Sequence, residues 1–249
     1  MLVASGCTFV VEIKLHMAKS GLLSSSLSKK YAMAATGLFL CLFLVGHLAG
    51  NLQLFIGGIQ GQTAFNEYAH FMTSNPAVKL LSYLTYFSIL FHAVDGIVLT
   101  VQNRRARPVR YAKERPAENA GWSSRNMMVL GTVMLVFIVV HMQNFWWQMH
   151  FGAVSTLTVD GVEMHDLHSV VMAFFGPENP YAMPAAGLYV VAMAAMGFHL
   201  WHGFESSFQS LGLRFDKFTP LIRGFGRTFS VVVPFLFAAI VVFIFVTQS

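Results

Sequence analysis

The sequence predicts an all-α, polytopic membrane protein with five transmembrane helices, on three observations. Charged side chains make up 11% of the 249 residues and apolar ones 55%, whereas a soluble domain carries about 25% charge. Mean hydropathy is +0.59. Five separate apolar runs each approach the roughly 20 residues that cross a hydrocarbon core of about 30 Å as a helix. The pI near 9.4 would suit a nucleic-acid binder, but in such a chain it belongs to the loops that flank a membrane.

Residues 1–30 read as an N-terminal tail ending in Lys29 and Lys30, and 31–249 as a single transmembrane domain. LVASGC near the start resembles a lipoprotein cleavage box. No basic region or long apolar run precedes it, so a cleaved signal is not expected. The first span is expected over about 31–55 and the second over 76–102. The third is expected over 122–147, the fourth over 181–208 and the fifth over 228–246. Cys7 and Cys41 cannot build a disulfide framework, because Cys41 lies inside the first span.

Charge sets the expected orientation. All but one of the 16 basic residues fall on one set of connections. Lys14, Lys19, Lys29 and Lys30 precede the first span. Arg104, Arg105, Arg107, Arg110, Lys113, Arg115 and Arg125 join the second to the third, and Arg214, Lys217, Arg223 and Arg227 join the fourth to the fifth. Lys79 is alone on the other side, with Glu67, Asp160, Glu163, Asp166 and Glu178. The positive-inside rule then puts the N-terminus in the cytoplasm and the C-terminus outside, as in a bacterial cytoplasmic membrane.

Each of the first four spans carries a histidine, and ionisable groups inside a membrane mark function. His47 and His141 lie in the outer halves of the first and third spans, His92 and His199 in the inner halves of the second and fourth. Two histidines facing across a bundle are the arrangement that holds a flat six-coordinate iron, and such a centre carries electrons without binding oxygen. His92 with Gly96 and His199 with Gly203 repeat an HxxxG pattern, and Gly50 follows His47 within one turn. A glycine on the ligand's face leaves room for a macrocycle edge. His202 shares a face with His199, so spacing alone does not choose between them. The expected core is therefore a four-helix bundle with two non-covalent b haems, plus a fifth helix. The absence of CxxCH excludes covalent c-type attachment. The two irons would lie about 10–15 Å apart along the membrane normal.

Other polar residues carry weaker signals. Glu67 and His70, in FNEYAHF, are candidates for proton exchange with a quinol on an amphipathic outer segment. Asp95 and Glu205 near the inner interface suit a proton path or a simple arginine pairing. His165 and His168 are too few for a metal site. Ser123, Ser124 and Arg125, with Lys29 and Lys30, lie at the depth of inner-haem propionates. Trp122, Trp146 and Trp147 read as interfacial anchors.

The segments KKYAMAATGLFLCLFLVGHLAGN, FNEYAHFMTSNP, ILFHAVDG, VVHM and FHLWHGFESSFQSLG resemble the membrane-anchor cytochrome b subunit of succinate:quinone oxidoreductases, the succinate dehydrogenase and fumarate reductase family. The likeness is to the single-chain, five-helix, two-haem type. It implies His92 and His199 as ligands of the haem nearer the catalytic subunits and His47 and His141 as ligands of the distal one. The family's glycine four residues after its fourth-span ligand favours His199 over His202. The resemblance also implies partners on the cytoplasmic face, a flavoprotein with FAD and an iron–sulfur protein. It implies a quinone, with menaquinone expected, and leaves a dimer of complexes open. Dicarboxylate chemistry would then belong to the flavoprotein. Two other readings compete: a di-haem anchor of a formate dehydrogenase or hydrogenase, and a haem-free transporter whose histidines relay protons.

Overall fold

The computed structural model describes residues 25–106 and 116–248. Cys7, Lys14, Lys19, Arg107, Arg110, Lys113 and Arg115 lie outside the described residues. Five helices are long and apolar enough to cross a membrane, and the protein is a membrane-embedded helical bundle.

Helix α1 (Ser26–Asn51) starts where the Ser25 hydroxyl accepts the N–H of Ser28, and it continues as a 3-10 turn, Leu52–Phe55. Helix α2 (Gly58–Ser74) follows at the end of the bundle where α1 finishes. Asn75 then caps α3 (Pro76–Arg105): its side chain accepts the N–H groups of Ala77 and Val78, with Pro76 at the first helical position. After two short turns, α4 (Pro116–Asn119) and α5 (Trp122–Arg125), come α6 (Met127–His141), a π-helical turn (Met142–Trp146) and α7 (Trp147–Phe151). An antiparallel hairpin, β1 (Thr156–Val159) with β2 (Val162–His165), turns at Asp160 and Gly161. Both have positive φ, 49° and 81°, as a tight two-residue hairpin turn requires. Helix α8 (Leu167–Phe175) leads to the long helices α9 (Ala182–Ser210) and α10 (Thr219–Gln248).

Two span boundaries differ from expectation. The third span was expected to be continuous over 122–147, but Asn126 leaves the helical region at φ −106°, ψ 13°, and the long helix begins at Met127. The Asn126 side chain donates to the Trp122 carbonyl at 2.8 Å, the kind of local competition that ends a helical turn. The fifth helix begins at Thr219 rather than near 228, because Arg223 and Arg227 lower the hydropathy there without opposing helix formation. The connection between 148 and 180, expected as a loop, holds the hairpin and α8.

Helices α1, α3, α6 and α9 form a ring in chain order, each packed on the next and α9 closing on α1. Helix α10 lies outside the ring against α9 and α1. The densest core sits along that seam, where Tyr189, Met193, Met196, Leu200 and Phe204 meet Phe229, Val233, Ile240, Val241 and Ile244. Pro234 inside α10 cannot donate to the carbonyl four residues back, that of Ser230. A Cβ placed at Gly197 would lie 3.0 Å from that same oxygen. Glycine at 197 therefore lets α9 press its backbone against the carbonyl that proline has freed, a small-residue crossing of the kind that joins helices in lipid. On the outer perimeter Leu42, Leu80, Phe87, Leu90, Val136, Leu188 and Phe235 are exposed, an apolar surface suited to acyl chains.

Candidate cofactor-binding cavity

Because the ring runs in chain order, α1 stands diagonally opposite α6, and α3 opposite α9. The four histidines use those two diagonals. His47 on α1 faces His141 on α6 with ring centroids 5.8 Å apart, and His92 on α3 faces His199 on α9 at 6.3 Å. Two imidazoles bound end-on to one metal, with metal–nitrogen bonds of roughly 2 Å, hold their ring centres about 6 Å apart. Among the described residues His202 makes no such pairing, although it lines the same space. All four paired histidines line one continuous cavity of about 2400 Å³, against roughly 300–1,000 Å³ for a single small-molecule site.

The surroundings of the pairs differ. At the outer pair, Phe43 stacks on His47 at 5.3 Å and Phe137 on His141 at 5.6 Å. Phe237, Phe145 and Tyr189 approach from α10, the π-helical turn and α9. The π-helical turn begins directly after His141, so the extra residue in that turn sets how Phe145 and Trp146 face the bundle. At the inner pair the walls are small and polar. A Cβ at Gly37 would sit 3.1 Å from Cε1 of His92, and one at Gly131 would be 3.8 Å from Cε1 of His199. Thr36 Oγ1 donates to the Ala32 carbonyl at 2.8 Å and lies 3.2 Å from Nδ1 of His92. With its own hydrogen committed, that hydroxyl accepts from Nδ1–H and leaves the His92 Nε2 lone pair free.

The donor set fits a haem on the chain's own features. In each pair the two rings face each other where they line the cavity, with centroids 5.8 and 6.3 Å apart. Among the described residues no group of three or more His, Cys, Asp or Glu side chains converges. Two imidazoles with empty space between four helices suit a cofactor that brings its own in-plane ligands.

The glycines behave less uniformly than the sequence suggested. Gly203 opens onto free space and Gly96 meets only Met33, at 3.5 Å. Gly50 departs from the expectation of a macrocycle edge: a Cβ there would lie 2.5 Å from the ring of Tyr68. That tyrosine covers Gly46 and Gly50 and donates to the Gly46 carbonyl at 2.8 Å. Burial raises its pKa above the ordinary tyrosine value.

Glu67 is exposed, and neither it nor His70 lines the cavity. Their helix contributes Phe65, Tyr68, Ala69, Met72 and Thr73 instead. Its neighbour Asn66 is fully buried. Asn66 donates to Asp166 at 2.7 Å and accepts the N–H of His168 at 2.9 Å, while Gln62 donates to the other Asp166 oxygen at 2.7 Å. Asp166 also accepts from the Ser169 hydroxyl at 2.6 Å as it caps α8. Burial would raise the Asp166 pKa, but the hydrogen bonds from Ser169, Asn66 and Gln62 outweigh it and hold the carboxyl below its usual range. His168 shifts down through burial, opposed by the Asp166 charge. The HDLH segment is thus a helix cap that ties α2 to α8.

At the end of the bundle where α1 starts, Ser124, Arg125, Lys30 and Arg104 line the cavity, while Ser123 is buried. Asp95 is buried with one carboxylate oxygen unpartnered. Glu205 pairs with Arg223 at 2.8 Å, the arginine pairing foreseen for it. No protein-family model, curated protein or solved structure matches the chain.

Proposed function

We propose that the chain is the cytochrome b membrane anchor of a succinate:quinone oxidoreductase, passing electrons between an iron–sulfur subunit and the quinone pool. The observation that carries this reading is the pair of facing imidazoles on each diagonal of the four-helix ring, at two depths in one cavity. His47 with His141 would hold one b haem and His92 with His199 the other. A bis-histidine haem supplies one-electron transfer with no open coordination site.

The chain's own residues serve that task in separate ways. Phe43, Phe137, Phe145, Tyr189 and Phe237 keep water from the outer imidazoles. Gly37 and Gly131 leave space beside the inner ones, and Thr36 orients His92 through Nδ1, as outer partners of a ligand do. Lys30, Arg104 and Arg125 give the inner mouth a positive charge. That charge suits haem propionates and an acidic face on an iron–sulfur protein docked from the cytoplasm. The quinone, menaquinone in this reading, would exchange electrons with the outer centre, and FAD would belong to the flavoprotein partner.

The test is purification of the membrane complex through a tag on this chain. Co-purified flavoprotein and iron–sulfur subunits, with haem-b bands that are reduced by a quinol and reoxidised by fumarate, are expected. A different dehydrogenase on the same two-haem chain would move the assignment to the formate dehydrogenase or hydrogenase class. A folded chain without haem would leave the proton-relay reading.

A further inference from the structure

The early start of α10 creates a feature with no part in the histidine ring. The helix has 30 residues, about 45 Å at 1.5 Å per residue, which matches a bilayer of roughly 40–45 Å with its headgroups included. Its first turns, carrying Arg223 and Arg227, therefore reach the headgroup layer on the inner side. There they meet the connection that leaves α9, with Arg214 and Lys217.

These cations gather around too little negative charge. Arg223 binds Glu205 through Nε at 3.2 Å and Nη2 at 2.8 Å, and Arg214 reaches the same carboxylate at 3.9 Å and Gln209 at 3.3 Å. Arg227 lies over the Trp201 ring at 5.2 Å, and Lys217 over Phe218 at 5.7 Å. Arg214, Lys217, Arg223 and Arg227 are thus four cations against two carboxylates, Glu205 and Asp216. Among the described residues Arg227 and Lys217 have no salt bridge. Arg214 and Arg223 remain about half exposed, at 47% and 41%, so several guanidinium N–H donors point outward.

The surroundings say what would meet them. Trp201, Phe198, Phe225 and Leu221 are exposed beside the cluster. They belong to α9 and to α10, which packs outside the ring rather than at its central mouth. Leu221 and Phe225 alternate with Arg223 and Arg227 along α10, and Trp201 and Phe198 continue the apolar surface towards the span along α9, the mix of aromatics and cations of an interfacial belt facing lipid. We propose that Arg214, Arg227 and the outward edge of Arg223 form a binding site for the phosphate of an anionic phospholipid, whose acyl chains lie along Trp201 and Phe198. Trp201 holds the Arg227 guanidinium over its ring, and with no salt bridge among the described residues Arg227 keeps N–H donors for the phosphate oxygens. This inference depends on the membrane position of the chain and not on the haem reading.

The test is native mass spectrometry of the full chain in neutral detergent with equimolar phosphatidylglycerol and phosphatidylcholine. The wild type should retain phosphatidylglycerol preferentially. Arg214→Gln and Arg227→Gln should each lower that preference about fivefold, the effect of one basic residue at an anionic surface, while Lys79→Gln at the opposite end should leave it unchanged. Helix content by circular dichroism checks that each variant is folded. Equal retention of both lipids by the wild type would overturn the proposal, whatever the variants do. An unchanged preference in the folded double variant would also overturn it. Displacement of the lipid by millimolar inorganic phosphate would assign the site to the free anion instead.

Discussion

The two histidine pairs share a separation and almost nothing else. The outer pair is walled by five aromatic rings, while the inner pair is bordered by Gly37, Gly131 and the Thr36 hydroxyl, beside a mouth of cations. An aromatic wall excludes water and polar groups, whereas hydroxyls and nearby positive charge stabilise an added electron. The contrast teaches that one ligand set can be tuned differently by the helix that faces it. If each pair holds a haem, as proposed, the two should differ in potential, and a redox titration that resolves two b components checks it.

The largest way to break that contrast is at the glycines. Gly37→Leu would drive a branched side chain into the space beside His92, where even a Cβ stands at 3.1 Å. Loss of one of the two haems is expected, the inner, with the outer spectrum intact. Gly50→Leu should behave differently, since the group it displaces is the Tyr68 ring. It should loosen α2 while both haems remain. Haem-to-protein ratio and proteolysis of the 52–75 segment distinguish the two.

A second prediction concerns the cap that closes the outer end. Asn66→Ala removes one donor from Asp166, which keeps Gln62 and Ser169, and leaves the His168 N–H without its acceptor, a loss of about 1–3 kcal/mol. This should be read as a lower thermal midpoint in detergent. Because hydrogen bonds hold the Asp166 pKa below its unfolded value, the stability it contributes is present above the usual carboxylate pKa of about 3.9. That stability is lost as pH falls through the lower folded value. Asp166→Asn should remove this acid limb from the pH–stability curve. The smallest effect is expected from Tyr68→Phe, which deletes one hydrogen bond to the Gly46 carbonyl and should cost about 1 kcal/mol.

Much of this was legible in the residues. Five apolar runs declared the fold, since length and hydropathy are sufficient for spans in lipid. One histidine per span, sorted by depth, foretold which would meet, and His199 rather than His202 does face His92. The glycines were legible only in part. A glycine one turn from a histidine reads the same whether a macrocycle or a tyrosine from another helix lies on it, so Gly50 misled. Gly37 and Gly131 carried no local signal, because their partners His92 and His199 lie on neighbouring helices. An alternating pattern of spans would have offered the only hint, the matching depth of Gly37 with His92. The start of α10 was hidden by its arginines, and the break at Asn126 by the long apolar run that begins directly after it at Met127.

The measurement that bears most directly on the central claim is haem content per chain, by reduced pyridine haemochrome, on the wild type and on His47→Ala, His141→Ala, His92→Ala, His199→Ala and His202→Ala. Two b haems in the wild type are expected, with one lost on changing any of the four paired histidines and none lost on changing His202. The same spectral component should vanish for His47 as for His141, and the other for His92 as for His199. A folded, membrane-inserted wild type without haem, or losses that do not follow the two diagonals, would contradict the account.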